Sequence, residues 1–345
     1  MTKNDGLRPI AVTMGDPSGI STEITLKAWE YFKAIDGVCF FVLSDCHLLQ
    51  ETQRHLSQKI KIEPISSPKE AMQIFSDAIP VLELPQKVII SSGKPMAANA
   101  EMILYSISHA VDLVRRQQAS SIVTNPINKH VLYQAGFKFP GHTEYLAMLA
   151  KSAGAKISYP VMLLVSPQLK TVPLTIHIAL EDVTKSITRE KLYETAQILS
   201  HDLKKYFGIK APHIAVTGLN PHAGENGAMG KTEIEIIEPT LKELRAQGIN
   251  VSGPYPADTL FHTTARQNYD VVLAMYHDQA LIPIKTLGFE EGVNTTLGLS
   301  FVRTSPDHGT ACDIAGKGIA NPKSLIEAIK LAHFMARHAE GFSDA

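Results

Sequence analysis

The sequence predicts an α/β fold with mostly parallel strands, and three observations lead to this prediction. Short runs rich in Val, Ile and Phe alternate with longer stretches in which apolar residues recur at helical spacing. The helical stretches are 11 residues or longer, enough to connect two parallel strands. Polar residues capable of chemistry follow at least five strands. Ligands bind beyond the carboxyl ends of parallel strands, so we expect one shared site.

The predicted elements follow one another along the chain in alternation, which favours βαβ units and a doubly wound sheet. We expect strands at 10–14, 38–43, 87–91, 121–124, 161–165, 172–178, 213–217, 271–276 and 301–304. We expect helices at 22–33, 97–117, 143–153, 189–207, 233–247 and 324–337.

Length and composition restrict the class of protein. The chain has 345 residues, 44% of them hydrophobic, which is enough for two domains with buried cores. Its 33 basic and 34 acidic residues exclude the charged surface of a non-specific nucleic-acid binder. No apolar run approaches the about 20 residues that cross a bilayer, and residues 1–9 lack a signal-peptide core. Three cysteines are too few for a disulfide framework. We expect a soluble cytoplasmic protein with no membrane or nucleic-acid partner.

Three of the 14 histidines stand at or just after predicted strand ends: His177, His222 and His277. Three neutral imidazoles can bind a divalent metal ion and leave a coordination position open for a substrate. Their separations do not form a local ligand motif. On spacing alone, histidines that hydrogen-bond loop backbone remain the better interpretation.

A second group of residues is suited to binding an anion. His142 and Thr143 open a predicted helix that Thr143 can cap, although helix initiation alone explains them equally well. Lys285 and Arg303 lie in apolar runs, with Asn294 between them. A charge in apolar surroundings needs a partner, and a phosphate or carboxylate suits these side chains. Most basic residues are solvated, which is the competing interpretation.

The glycine-rich turn at 15–19 is not the Gly-x-Gly-x-x-Gly dinucleotide motif, which is absent from the whole sequence. A tight turn between strand and helix explains these glycines. The glycine-rich segment 224–230 is suited to a loop that closes over a site.

A series of motifs appears in order from about residue 8 to about residue 340: GDPSGI at 15–20, TNPINK at 124–129, PGHTE at 140–144, GLNPHAGE at 218–225, MYHDQ at 275–279, VNTTLGL at 293–299, RTS at 303–305 and DHGT at 307–310. Together these motifs resemble those of the 4-hydroxythreonine-4-phosphate dehydrogenase family of pyridoxal phosphate biosynthesis. The segment 307–322 also resembles the adenosine-binding loop of isopropylmalate and isocitrate dehydrogenases, which bind a dinucleotide without a Rossmann motif.

The resemblance implies a fold of two α/β/α domains with mostly parallel sheets and the active site in the cleft between them, similar to isopropylmalate dehydrogenase. The first domain is expected at 1–125 plus 290–345, including the cofactor loop 307–322. The second, at 126–289, is expected to carry the metal ligands and the interface of a homodimer with the active site at that interface.

The resemblance also implies roles for individual residues. The implied metal ligands are His177, His222 and His277, one of them contributed across the dimer interface. The implied substrate-binding residues are His142, Thr143, Lys285, Asn294 and Arg303. The implied cofactor-binding residues are His308, Gly309, Thr310, Asp313 and Ile314. The candidates for the catalytic base are Asp258, Asp278 or a bound water.

The implied reaction is oxidation and decarboxylation of 4-phosphooxy-L-threonine, a small phosphorylated amino acid, with NAD or NADP and one divalent metal ion. Zinc is expected first, with cobalt or magnesium as alternatives. Dehydrogenases of threonate or erythronate 4-phosphate or of aromatic cis-dihydrodiols share the scaffold. A metal-dependent phosphoesterase and a silent ligand-binding protein are the alternatives from other classes.

Some positions depart from the family pattern. Ser21 and Thr22 replace Gly-Pro, Ala280 replaces a glycine, and Ser300 replaces a proline. Because alanine is strained at positive φ, we expect the turn that contains Ala280 to be helical.

Overall fold

The computed structural model describes residues 7–56, 59–139, 141–152 and 159–342. The strands are β1 Ile10–Thr13, β2 Phe40–Ser44, β3 Ile62–Ile65, β4 Ile79–Glu83, β5 Ile122–Val123, β6 Val161–Ser166, β7 Leu169–Thr175, β8 Ile214–Thr217, β9 Val251–Tyr255, β10 Val271–Tyr276, β11 Val293–Leu297 and β12 Arg303–Pro306. The α-helices are α1 Ser21–Phe32, α2 Cys46–His55, α3 Pro68–Ile74, α4 Ala100–Arg115, α5 Lys129–Gln134, α6 His142–Ser152, α7 Leu180–Ser186, α8 Arg189–Phe207, α9 Glu238–Ala246, α10 Thr263–Arg266, α11 His277–Gly288 and α12 Lys323–Glu340.

The chain divides into two compact units. Unit 1 is Met1–Ile157 with Leu299–Arg337, and unit 2 is Ser158–Gly298 with His338–Ala345. We expected the divisions at 125/126 and 289/290. Of the described residues, 126–139 and 141–152 fall in unit 1 instead, where Leu132 and Leu146 are fully buried in the core.

The sheet of unit 1 has the strand order β3-β4-β2-β1-β5-β12, and every pairing along it is parallel. Helix α4 packs on β1 because one face of the helix is apolar. Met102, Ile107, Ala110 and Val111 lie on this face and are buried. Unit 1 therefore presents the carboxyl ends of β1, β5 and β12 side by side.

The sheet of unit 2 has the order β11-β6-β7-β10-β8-β9. The pairings of β6 with β11 and β7 are antiparallel, whereas β7, β10, β8 and β9 are parallel. The predicted α/β class with mostly parallel strands is thus confirmed. Among the helices of the described residues, none combines the length and hydropathy that a bilayer crossing requires.

Most predicted elements are present, with errors of a few residues at their ends. The predicted strand 87–91 is wrong, because this segment is irregular; β3 and β4 precede it, and neither was predicted. The predicted strand 172–178 ends at Thr175, so His177 lies beyond it. Helix α11 was not predicted as a helix because it contains Pro283, but the helical turn expected at Ala280 is confirmed.

Candidate active site

Two of the three candidate metal ligands lie together at the carboxyl edge of the sheet of unit 2. Strands β7 and β10 are parallel neighbours. His177 follows β7 by two residues, and His277 directly follows β10. The ring centroids are 5.8 Å apart with an angle of 44° between the ring planes. His177 and His277 are 100 positions apart in the sequence, and they lie side by side because β7 and β10 are neighbours in the sheet.

Asp278 orients the imidazole of His277. Its Oδ1 atom lies 2.7 Å from Nδ1 of His277. A carboxylate only accepts hydrogen bonds, so Nδ1 carries a proton, and in the neutral imidazole Nε2 then has the lone pair that can bind a ligand. Carboxylates commonly hold metal-binding histidines in this way.

The two histidines line a cavity of about 500 Å³. The lining residues are Thr175, His177, Ile178, Leu180, Val183, Tyr276, His277, Asp278 and Ile282. Leu180 is 71% exposed and Ile282 is 64% exposed. Apolar side chains this exposed in the wall of a cavity are typical of an interaction surface.

His222 lies in a strained turn after β8. Residues 222–226 all have positive φ, between 42° and 83°. The left-handed conformation costs roughly 1–2 kcal/mol per non-glycine residue. His177 also has a positive φ, 52°. Such strain persists only where the surrounding structure holds it, and it is concentrated at functional sites.

The structure does not bring all three histidines into one ligand group. In the described residues, no three His, Cys, Asp or Glu side chains lie close enough to hold a metal ion. His177 and His277 are adjacent, whereas His222 is exposed on its own turn. Asp258 is also exposed, in the short helical segment Ala257–Thr259 that packs against the turn containing His222.

Gln279 connects the strand that leads to His222 with the strand that leads to His277. Its Oε1 accepts hydrogen bonds from the Thr217 hydroxyl and the Met275 N–H, both at 3.0 Å. Its Nε2 donates to the carbonyl of Gly218 at 3.0 Å. The amide thereby fixes the ends of β8 and β10 relative to each other.

Arg303 is the buried cation of unit 1. It is 3% exposed at the start of β12, and its Nε and Nη2 both donate to the Thr124 hydroxyl, at 3.0 and 2.6 Å. Burial lowers the pKa of its guanidinium to about 10, which still leaves it charged at neutral pH. The predicted buried position of Arg303 is confirmed.

His142 lies near this cation. Burial, followed by the positive charges of Arg303 and Lys129, lowers the pKa of His142 well below its usual 6.5. Its Nε2 is buried and has no hydrogen-bond partner among the described residues. The imidazole is therefore neutral at pH 7. Helix α6 begins at His142, so Thr143 lies in the first turn and the expected capping position is wrong.

The lowered pKa of His142 predicts a pH dependence of stability. Below about pH 6.5 the unfolded chain binds a proton at His142 that the folded chain does not, so acidification destabilises the fold. Between pH 7.5 and 5.5, the free energy of urea unfolding is expected to fall more for wild type than for His142→Asn. His130→Asn, at an exposed histidine, is the control. Equal pH dependence in wild type and His142→Asn would contradict this assignment.

Lys285 and Asn294 belong to unit 2. Lys285 lies in the last turn of α11, where its Nζ is 5.6 Å from the ring centre of Phe289. We expected Lys285 in an apolar environment because it follows the apolar run 281–284. That run is part of an amphipathic helix, so Lys285 is only half-buried. The Oδ1 of Asn294 is buried without a partner among the described residues. Amide oxygen and nitrogen exchange by a flip, so this edge can accept or donate.

The expected cofactor loop is anchored to helix α1. Lys27 donates to the carbonyls of Gly318 and Ala320 at 2.9 and 2.8 Å, and it pairs with Glu23 at 2.7 Å. Glu23 in turn accepts from the Ala320 N–H at 2.8 Å. The carbonyl of Thr310 accepts from the N–H of Ile20 at 3.0 Å.

Within this loop, the structure places His308, Gly309, Thr310, Asp313 and Ile314 in irregular backbone. Gly309 and Asp313 are exposed, and the others are half-buried. Nδ1 of His308 is 2.9 Å from the Gly309 carbonyl, and its Nε2 is buried without a partner among the described residues.

Sequence reasoning missed the residues that support the site. These are Thr124 under Arg303, Gln279 between the strand ends, the Glu23–Lys27 pair and the buried Glu233. Thr124 and Gln279 lie inside quoted motifs, and their positions directly after strands were a usable signal. Glu233 has no such signal, because its partners come from a loop 13 and 14 residues before it.

Comparison with known proteins identifies the family. The sequence matches the model described as "Pyridoxal phosphate biosynthetic protein PdxA" over residues 37–332. A Methylorubrum populi relative named 4-hydroxythreonine-4-phosphate dehydrogenase is 52% identical over 332 residues, 96% of this chain and 95% of the relative. The crystal structure of 4-hydroxythreonine-4-phosphate dehydrogenase from Klebsiella pneumoniae has a TM-score of 0.84 and 37% identity, covering 95% of this chain and 99% of that chain.

A more distant structure is terephthalate 1,2-cis-dihydrodiol dehydrogenase from Burkholderia xenovorans, with a TM-score of 0.63 and 25% identity over 95% of this chain and 98% of that chain. The α/β fold and these matches define the class: an oxidoreductase. The chain belongs to the PdxA family of pyridoxal phosphate biosynthesis, which confirms the family that the motifs indicate.

Proposed function

We propose that the chain oxidises 4-phosphooxy-L-threonine with NAD or NADP, and that decarboxylation of the oxidised product yields 3-amino-2-oxopropyl phosphate. We place the reaction in the cytoplasm and in a homodimer that binds one divalent metal ion per site. The observation that carries the proposal is the adjacent pair His177 and His277, with Asp278 on the second ring, in a full-length relative of 4-hydroxythreonine-4-phosphate dehydrogenases.

The donor chemistry of unit 2 fits a divalent cation. His177 and His277 offer imidazole nitrogens, and the contact of Asp278 with Nδ1 of His277 orients that ring so that Nε2 is available to a ligand. We propose His222 as the third ligand. A bound divalent cation would lower the pKa of a substrate hydroxyl and polarise the ketone formed from it.

A homodimer would account for the incomplete ligand group. The histidines of one copy do not converge, so at least one ligand is proposed to come from a second copy. The exposed apolar side chains Leu180 and Ile282, which line the cavity, support an interface there.

Protons are proposed to move through carboxylates. Asp278 holds the Nδ1 proton of His277, and its side chain is 67% exposed, so it can also accept a proton from a bound hydroxyl. Asp258, exposed on a segment that packs against the His222 turn, is the second candidate for this base.

The substrate phosphate is proposed to bind to charged and polar donors. In unit 1 these are Arg303, with a guanidinium held by Thr124, together with His142 and Thr143. In unit 2 we assign Lys285 and Asn294. A neutral His142 can donate a hydrogen bond to an anion without adding a second buried charge beside Arg303.

The dinucleotide is proposed to bind at the loop of His308, Gly309, Thr310, Asp313 and Ile314. The buried Glu23 and the Lys27 ammonium already order this loop. A loop held in place before binding loses less conformational entropy when it takes up a ligand.

The test is a steady-state assay that follows the absorbance of reduced nicotinamide. Growth of the signal is expected only when the metal ion, dinucleotide and 4-phosphooxy-L-threonine are all present, with carbon dioxide released in equal amount. Threonate 4-phosphate, erythronate 4-phosphate and an aromatic cis-dihydrodiol are tested as competing substrates. Phosphate release without dinucleotide, or faster turnover of a competing substrate, would refute the proposal.

A further inference from the structure

The turn that presents His222 rests on a buried carboxylate. Glu233, in the π-helical segment Glu233–Ile237, is 1% exposed. Its Oε1 accepts hydrogen bonds from the backbone N–H groups of Leu219 and Asn220, both at 2.8 Å. Its Oε2 accepts from Nδ2 of Asn220 at 3.0 Å. Three donors from the segment just before His222 thus converge on one side chain.

The left-handed turn also packs directly on this carboxylate. A Cβ atom added to Gly224 would lie 2.7 Å from Oε2 of Glu233, closer than real Cβ contacts allow. A Cβ atom added to Gly218 would lie 2.8 Å from the Cα of Ala223. The turn at 222–226 is therefore tightly packed against Glu233 and Gly218.

We infer that Glu233 is a positioning residue that holds the left-handed turn and thereby sets the direction of the His222 imidazole. A run of positive φ values relaxes unless its surroundings enforce it. The hydrogen bonds to Leu219 and Asn220 fix the entry to the turn, and the contact with Gly224 fixes its middle. Glu233 itself is buried, and in this inference it acts on the site only through His222.

This inference rests on the proposed metal site and predicts weaker metal binding when the support is removed. Loss of a residue that orients a metal ligand typically weakens metal affinity about 10- to 100-fold. We expect this loss of Co²⁺ affinity in Glu233→Ala. Glu233→Gln keeps one oxygen for the two backbone donors but places an amide N–H opposite Asn220, so an intermediate loss is expected.

The experiment is a titration of the metal-free, full-length protein with Co²⁺, with the thermal midpoint measured for every variant. Glu235→Ala is the matched control, because Glu235 is exposed on the same segment. We also expect kcat to fall in both Glu233 variants while KM for the phosphorylated substrate changes little. A role limited to folding would lower the fraction of binding-competent protein but leave the Kd of that fraction unchanged.

The outcomes separate this inference from the proposed function. Failure of wild type to bind Co²⁺ would overturn the metal site and this inference with it. Wild-type Kd in both Glu233 variants, or equal weakening in Glu235→Ala, would overturn the role of Glu233 alone. If Glu233→Ala does not fold, Glu233→Gln decides the question.

Discussion

Replacement of His277 with alanine is expected to remove stoichiometric metal binding and to lower kcat by at least about 100-fold. Loss of a single group that stabilises charge in a transition state has this magnitude. The imidazole of His277 is oriented by Asp278, which lies 2.7 Å from its Nδ1, and its ring lies beside that of His177. Its removal leaves His177 without the neighbouring imidazole.

Metal content per chain and steady-state rates measure this effect. His55→Ala, at an exposed histidine of α2, is the control and should keep both. One metal ion per chain and an unchanged kcat in His277→Ala would exclude this histidine as a ligand.

Replacement of Arg303 with methionine is expected to raise KM for the phosphorylated substrate by about 10- to 100-fold. Hydrogen bonds to charged groups contribute about 1.5–3 kcal/mol, which corresponds to this range. Methionine approximates the length of the buried side chain without its charge. The smaller change is expected in kcat, because no bond of the phosphate group is made or broken when the neighbouring alcohol carbon is oxidised.

Two comparisons make this result specific. Arg115→Met, at an exposed arginine of α4, should leave KM unchanged. Thr124→Val removes the hydroxyl that accepts from Nε and Nη2 of Arg303, and it should raise KM in the same direction by a smaller factor. Wild-type KM in Arg303→Met would remove this arginine from the substrate site.

Much of the fold follows from local pattern. The runs at β1, β8 and β10 are apolar, β-branched and bounded by turn residues, so their positions are readable from sequence. Helix α8 was predicted with its exact bounds, because Thr188 caps its start and Gly208 ends it in a left-handed conformation. Helix α11 escaped prediction because Pro283 normally interrupts a helix.

The identities of the candidate site residues were predictable from the sequence, but their positions relative to one another were not. Motifs identified His177, His222 and His277, and the family they indicate is confirmed. Their relative positions depend on the pairing of strands distant in sequence. No local period encodes that pairing, since it depends on how sheets and helices pack together.

The sequence by itself determined the α/β class, the family and the identity of the polar residues after each strand, because these depend on composition, short periodicity and contiguous motifs. The tertiary structure alone decided that His177 lies beside His277, that Thr124 holds the buried Arg303, and that residues 222–226 turn left-handed over Glu233. These arrangements are made by hydrogen bonds and packing between segments that are separate in the sequence. These hydrogen bonds and contacts stabilise the chain only after the sheets have formed and brought the segments together.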